Sequence, residues 1–147
     1  MFKLILIPTD GSKVANKAVK AGIEFAAAVG AKVIVYQALE ETIRYAYSDG
    51  YALPANMIAS LQRQSRELAA KNMAAAKKSA TAAGVACETL ISKAGMPHEG
   101  IVATAKKRKC DAIFMASHGR RGLAGLLMGS VTNKVLTHSK IPVVVYR

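Results

Sequence analysis

Carboxylates are scarce in this chain. Nine aspartates and glutamates face 21 lysines and arginines over 147 residues, a formal net charge of +12. That imbalance favours anionic partners, whether nucleotide, nucleic acid or an acidic membrane surface, without choosing among them. Cysteine is nearly absent. Cys87 and Cys110 are too few for a disulfide framework and have no metal-ligand spacing, so both are expected to be reduced and structural. No apolar run approaches the ~20 residues of a membrane helix. The opening "MFKLILIPTDGS" has too short an apolar run for a secretory signal and no small-residue cleavage site. It reads as a first buried strand, and the expected location is cytoplasmic.

What is present is a composition 52% hydrophobic, enough for a packed core. One domain of this length, residues 1–147, can bury roughly 70% of its unfolded surface. "LILIP" (4–8) is a continuous apolar run, as in a strand covered on both faces. Ser12 is a predicted N-cap, and Ala15, Ala18, Val19, Gly22, Ile23 and Ala26 mark the inner face of a helix ending at Gly30. Lys13, Lys17, Lys20 and Glu24 share its outer face. "KVIVYQAL" (32–39) is the second strand. Residues 40–54 lack either periodicity and are expected to form a partly ordered flap.

A long helix is predicted from about Asn56 to Ala83, with Ile58, Leu61, Leu68, Ala69, Met73, Ala76, Ala80 and Ala83 in a buried stripe. "VACETLIS" (85–92) alternates like an edge strand. Pro97 then opens a third helix whose apolar face holds Ile101, Val102 and Ala105. The basic run "KKRK" (106–109) falls where that helix should end, and cations there complement its dipole. "AIFMAS" (112–117), a short helix from about Ser130 to Thr137 and "IPVVVYR" complete the chain. The order β-α-β-α-β-α-β-α-β implies an α/β fold, an open parallel sheet with helices on both faces. Ligands in such sheets bind outside the strand C-termini where strand order reverses. With strand 1 central, that crevice lies between "PTDGS" and "ASHGRRG".

Several nucleotide and catalytic patterns are missing. No lysine follows a glycine as a Walker-type loop requires, and no G-x-G-x-x-G, G-x-S-x-G or pair of metal histidines occurs. What remains is "SHGRRGLAGLLMGS" (117–130), with four of the eleven glycines and no acid. Gly129-Ser130 opens a helix, and helix-start N–H groups backed by the positive dipole end attract anions. The same dipeptide is also an ordinary N-cap. The spacing alone does not separate the two.

"IPTDGS", "GMPHEGIVATAKKRKCDAIFMASHGRRG" and "LLMGSVTNKVLTHSKIPVVVYR" together resemble the universal stress protein family over essentially the whole chain, residues 40–54 being least alike. The resemblance implies a five-stranded parallel sheet of order 3-2-1-4-5 and a homodimer. In the nucleotide-binding branch it also implies ATP held by G-x-x-G, nine residues, then G-[ST]. Here that motif reads "ASHGRRGLAGLLMGS", with Gly119, Gly129 and Ser130 matching and Ala116 in place of the first glycine. Carried over position by position, the remaining contacts fall on Pro8, Thr9, Asp10, Ala38, Met115 and Val131. Asp10 suits ribose hydroxyls or a metal-bound water, and Ala38 and Met115 suit adenine. Arg120 and Arg121 can meet the outer phosphates through paired hydrogen bonds.

The expected function is therefore that of a small ATP-binding stress-response or regulatory protein, with or without Mg²⁺. No metal-ligand set and no catalytic residue is assigned, and ATPase activity is expected to be slow or absent. Ala116 motivates an alternative, a nucleotide-free dimeric interaction module of the same fold. Neither a sequence-specific nucleic-acid partner nor a membrane partner is expected. The bare β-prone "PVVVY" predicts an antiparallel homodimer contact along the final strand. Cys87 and Cys110 should begin strands 3 and 4, too far apart to bridge.

Overall fold

The computed structural model describes residues 1–40, 52–118 and 128–147. In chain order the elements are β1 (Leu4–Pro8), α1 (Lys13–Val29), β2 (Lys32–Glu40), α2 (Ala55–Ala82), β3 (Cys87–Ala94), α3 (Pro97–Lys107), β4 (Ala112–Ala116), α4 (Ser130–His138) and β5 (Val143–Tyr146). The five strands form one parallel sheet of order β3-β2-β1-β4-β5, the order the family resemblance implies.

Strand alternation divides the core in two. Ile5, Ile7, Val33, Val35 and Phe114 pack under α1 and α2. Leu6, Ile34, Tyr36, Ile113 and Met115 point the other way, under α3 and α4. Apolar side chains thus emerge on both faces of the central strands, which is why their sequences read as unbroken apolar runs. The inner face of α1 is the predicted set of six residues, and Lys13, Lys17, Lys20 and Glu24 are all exposed. Ser12 Oγ accepts the Ala15 N–H at 3.2 Å, and Gly30 ends the helix at φ 68°. Cys87 and Cys110 are separated by β2 and β1 and are both free. Burial raises both thiols, Cys110 to about 11, so neither presents much thiolate near neutral pH.

The stripe predicted along α2 is corrected. Its core contacts come from Ala69, Met73, Ala76 and Ala80, whereas Leu61 and Leu68 are 39% and 48% exposed, Ile58 is half-buried and Ala83 is exposed. Length explains it: the 28 residues of α2 extend roughly 42 Å, while the nine of β2 extend roughly 30 Å. The first half of the helix therefore runs beyond the sheet. Strand bounds also shift, β3 beginning at Cys87 with Val85 buried ahead of it, and β5 beginning at Val143. Of the 40–54 segment, Glu40 ends β2 and Pro54 precedes α2, while residues 41–51 lie outside the described residues.

A carboxylate pins the start of the sheet. Asp111 accepts the N–H groups of Lys3 at 2.6 Å and Leu4 at 2.8 Å, and its own N–H donates to Leu4 O at 2.8 Å. The two backbone donors hold its pKa below the ordinary carboxylate value, because they favour the charged form. A depressed folded-state pKa adds stability above the unfolded value and loses it as pH falls below about 4. Asp111→Asn is expected to be less stable than the parent at pH 7, with the gap narrowing toward pH 3 in urea melts. A gap independent of pH would contradict this.

Candidate functional site

A cavity of about 630 Å³ opens at the C-terminal ends of β1, β2 and β4. It lies at the reversal point of the strand order, since β2 and β4 flank β1 on opposite sides. Pro8, Thr9 and Asp10 enter it from the end of β1, and Ala38 from β2. Met115 and Ala116 come from β4, and Gly129, Ser130 and Val131 from the start of α4. The structure therefore brings nine of the predicted site residues to one cavity. The other three, Gly119, Arg120 and Arg121, lie outside the described residues.

The first loop is built by its own side chains. The Thr9 N–H donates to Tyr36 O at 2.8 Å, extending the β1–β2 pairing past the strand end. Thr9 Oγ1 then accepts the Gly11 N–H at 3.1 Å, and Asp10 Oδ1 accepts the Ser12 N–H at 2.9 Å. These are consecutive side-chain turns of the kind Asp, Thr and Ser form, and they set the Asp10 carboxylate at the cavity wall. Gly11 has φ +76°, and a Cβ there would run into the side chain of Asn72 on α2. Asn72 in turn donates to Gln37 Oε1 at 3.2 Å.

That last pair was not read from the sequence. Gln37 is only 4% exposed, lines the cavity, and ties β2 to α2 at the level of the Asp10 loop. The available signal was a lone amide inside the apolar strand "KVIVYQAL", since a buried amide must find a partner.

The opposite wall is the beginning of α4. The Gly129 N–H donates to Ser117 O at 2.8 Å, and Thr132 Oγ1 donates to Ala116 O at 2.9 Å. Both bonds fasten the helix start to the end of β4. The capping residue is Gly129 (φ −58°, ψ 148°), with no side-chain cap bond, and Ser130 is the first helical residue. So Gly-Ser is not a serine N-cap here. Among the described residues, the first-turn N–H groups of Ser130, Val131 and Thr132 have no hydrogen-bond acceptor. They form the positive end of a nine-residue helix. Ala116 is an ordinary strand residue without positive φ, so its methyl costs the backbone nothing.

Two kinds of apolar wall enclose the rest. Tyr36, Ala38, Ile101 and Met115 belong to the α3/α4 side of the core. The exposed Leu61 and Leu68, with Ser65 between them, present the overhanging half of α2. His118 also borders the cavity, its Nδ1 2.9 Å from Ser117 Oγ. Next to the wall residue Pro97, His98 is buried with its ring 5.4 Å from that of His138. Burial, and then the Lys134 charge, lower its pKa and favour the neutral ring. Among the described residues no group of three or more metal-ligating side chains exists. Asp10 is a carboxylate that reaches the cavity wall from the β1 loop.

Comparison with known proteins places these features in a wider set. The model of the universal stress protein family matches residues 1–147. The universal stress protein MJ0531 of Methanocaldococcus jannaschii is 33% identical across 100% of this chain and 83% of its own length. The solved structure of MJ0577 from the same organism is 34% identical, with a TM-score of 0.81 over 99% of this chain and 95% of that one. A universal stress protein solved in complex with cAMP shares the fold at 24% identity, with a TM-score of 0.71 over 99% of this chain and 97% of that one.

Proposed function

The chain belongs to the universal stress protein family, and on that premise we propose that it is an ATP-binding regulatory protein. The observation that carries this reading is the cavity itself. It sets a glycine-capped helix start, rich in unpartnered N–H donors, across from an aspartate loop and an apolar slot. Those three surfaces correspond to the three parts of an adenine nucleotide. Phosphates take the N–H groups of Ser130 and Val131, ribose hydroxyls take Asp10, and adenine lies against Ala38 and Met115. Gly119, Arg120 and Arg121 join the phosphates from the adjoining loop. The cAMP complex of a relative supports the same choice of ligand class. Residues 1–147 act as one nucleotide-binding unit, with no residue assigned a catalytic role, a protein that senses nucleotide rather than turning it over. Where Mg²⁺ accompanies ATP, the Asp10 carboxylate would hold it, and the ion would offset the phosphate charge.

Two copies meet along β5. Val143–Tyr146 is an edge strand whose four residues are all only partly buried, and such an edge pairs readily. A monomeric mass in light scattering would contradict that contact.

Ligand that binds only the folded state raises its stability by about 2.7 kcal/mol at a hundredfold excess over Kd. For a chain of this size ATP should therefore raise Tm by several degrees. No shift with ATP, AMP or cAMP would favour the nucleotide-free interaction module instead.

A further inference from the structure

Nearly half of the 21 cations share one end of the molecule. At the strand-start end of the sheet, opposite the cavity, Lys3 and Lys32 open β1 and β2, and Lys77 and Lys78 lie near the end of α2. Lys106, Lys107, Arg108 and Lys109 close α3, and Lys140 lies beyond the end of α4. Eight of these nine are exposed, Arg108 being the half-buried one. Among the described residues three carboxylates share this end, Glu24, Glu88 and Asp111. Glu88 is paired with Arg108, and Asp111 accepts the Lys3 and Leu4 N–H groups. Backbone pairing fixes the arrangement: the Lys32 N–H donates to Lys3 O at 2.9 Å, and the Lys109 N–H to Lys106 O at 3.1 Å.

We infer that this end is a docking surface for the phosphate backbone of duplex nucleic acid, bound without sequence preference. Five strand starts at the usual strand spacing span roughly 19 Å, and a duplex carries a charge about every 1.7 Å along its axis. Several phosphates therefore fall within reach of the row. Single strands are disfavoured because no aromatic side chain is exposed among the described residues of this end to stack on bases. An anionic bilayer is disfavoured too, since Met1 and Leu136 alone among the described residues are exposed large apolar side chains there, too few for an insertion face.

The test is anisotropy of a labelled random-sequence duplex against the full chain, from 50 to 200 mM salt. Contact with about five phosphates gives a log–log slope near −4.5, an affinity loss of roughly 10² to 10³ across that range. The variant Lys32→Gln, Lys78→Gln, Lys107→Gln should flatten the slope by two to three and weaken binding at least about tenfold at 50 mM. A control with equal charge loss, Lys13→Gln, Lys17→Gln, Lys20→Gln, should change binding less than about threefold. Three results would overturn the inference: no duplex binding at 50 mM, an equal loss from both triple variants, or binding to phosphatidylserine vesicles without binding to duplex. The last would assign the surface to anionic lipid.

Discussion

Gly129→Val should lose at least about 30-fold in ATP affinity, ~2 kcal/mol, while keeping its fold. The residue caps α4 at φ −58° and ψ 148°, an extended conformation open to any side chain. Valine there costs only about 1 kcal/mol as a poorer cap. Its branched side chain would stand at the helix start, where the phosphates are proposed to reach the Ser130 and Val131 N–H groups. Gly129→Ser separates binding from stability. A serine oxygen at that position can accept the first-turn N–H bonds itself, so it should stabilise the protein by a few tenths of a kcal/mol. The same bond competes with phosphate and should weaken ATP binding. Stability and affinity moving in opposite directions in one variant would be hard to obtain from a purely structural helix cap. Unchanged affinity in Gly129→Val, by equilibrium dialysis, would remove the phosphate role.

The largest effect on stability is expected at Gly22. This glycine lets α1 lie close to the sheet, and an added Cβ would stand 2.9 Å from Ile7 Cδ1 and 2.9 Å from Phe114 Cδ1. Both neighbours belong to the core cluster between α1 and the central strands. Overpacking of this kind costs typically 1–3 kcal/mol per substitution, partly offset in Gly22→Ala by the ~1 kcal/mol helix preference for alanine. Gly22→Val lacks most of that offset and adds two methyl groups, so about 3 kcal/mol or more should be lost. Urea unfolding should show a lower midpoint at an unchanged slope. A midpoint equal to the parent's would mean the helix shifts away without penalty.

These two glycines show where the sequence was readable. Gly22 falls among the small residues of the α1 stripe, and the stripe's 3.6-residue period is visible because the whole helix lies on the sheet. Strands were readable for a related reason, β1 and β4 being buried on both faces and apolar throughout. Strand order came from the family resemblance. The first half of α2 misled because Leu61 and Leu68 keep helical spacing whether or not a sheet lies beneath them. Nothing local encodes that a helix outruns its strands.

The site divides in the same way. Asp10 sits in a short loop and Gly129 directly precedes α4, so the turn and cap signals at those positions are local. The Gln37–Asn72 bond joins residues 35 apart in the chain, and a pairing of that range has no periodic signature. The Asp111 clasp on Lys3 and Leu4 spans more than a hundred residues and was equally hidden. Charge behaved likewise: the +12 was evident from composition, but which cations share the strand-start end required the parallel topology, which returns every strand start to the same edge.

The most direct test of the nucleotide site is calorimetric titration of ATP, with Mg²⁺, into protein stripped of bound nucleotide. The chain has no tryptophan to report binding by fluorescence. The account predicts saturable heat with micromolar affinity and about one ATP per chain, markedly weakened in Gly129→Val. No heat from a protein whose circular dichroism shows an intact fold would contradict it, leaving the glycine before α4 as a helix cap and the cavity without a nucleotide.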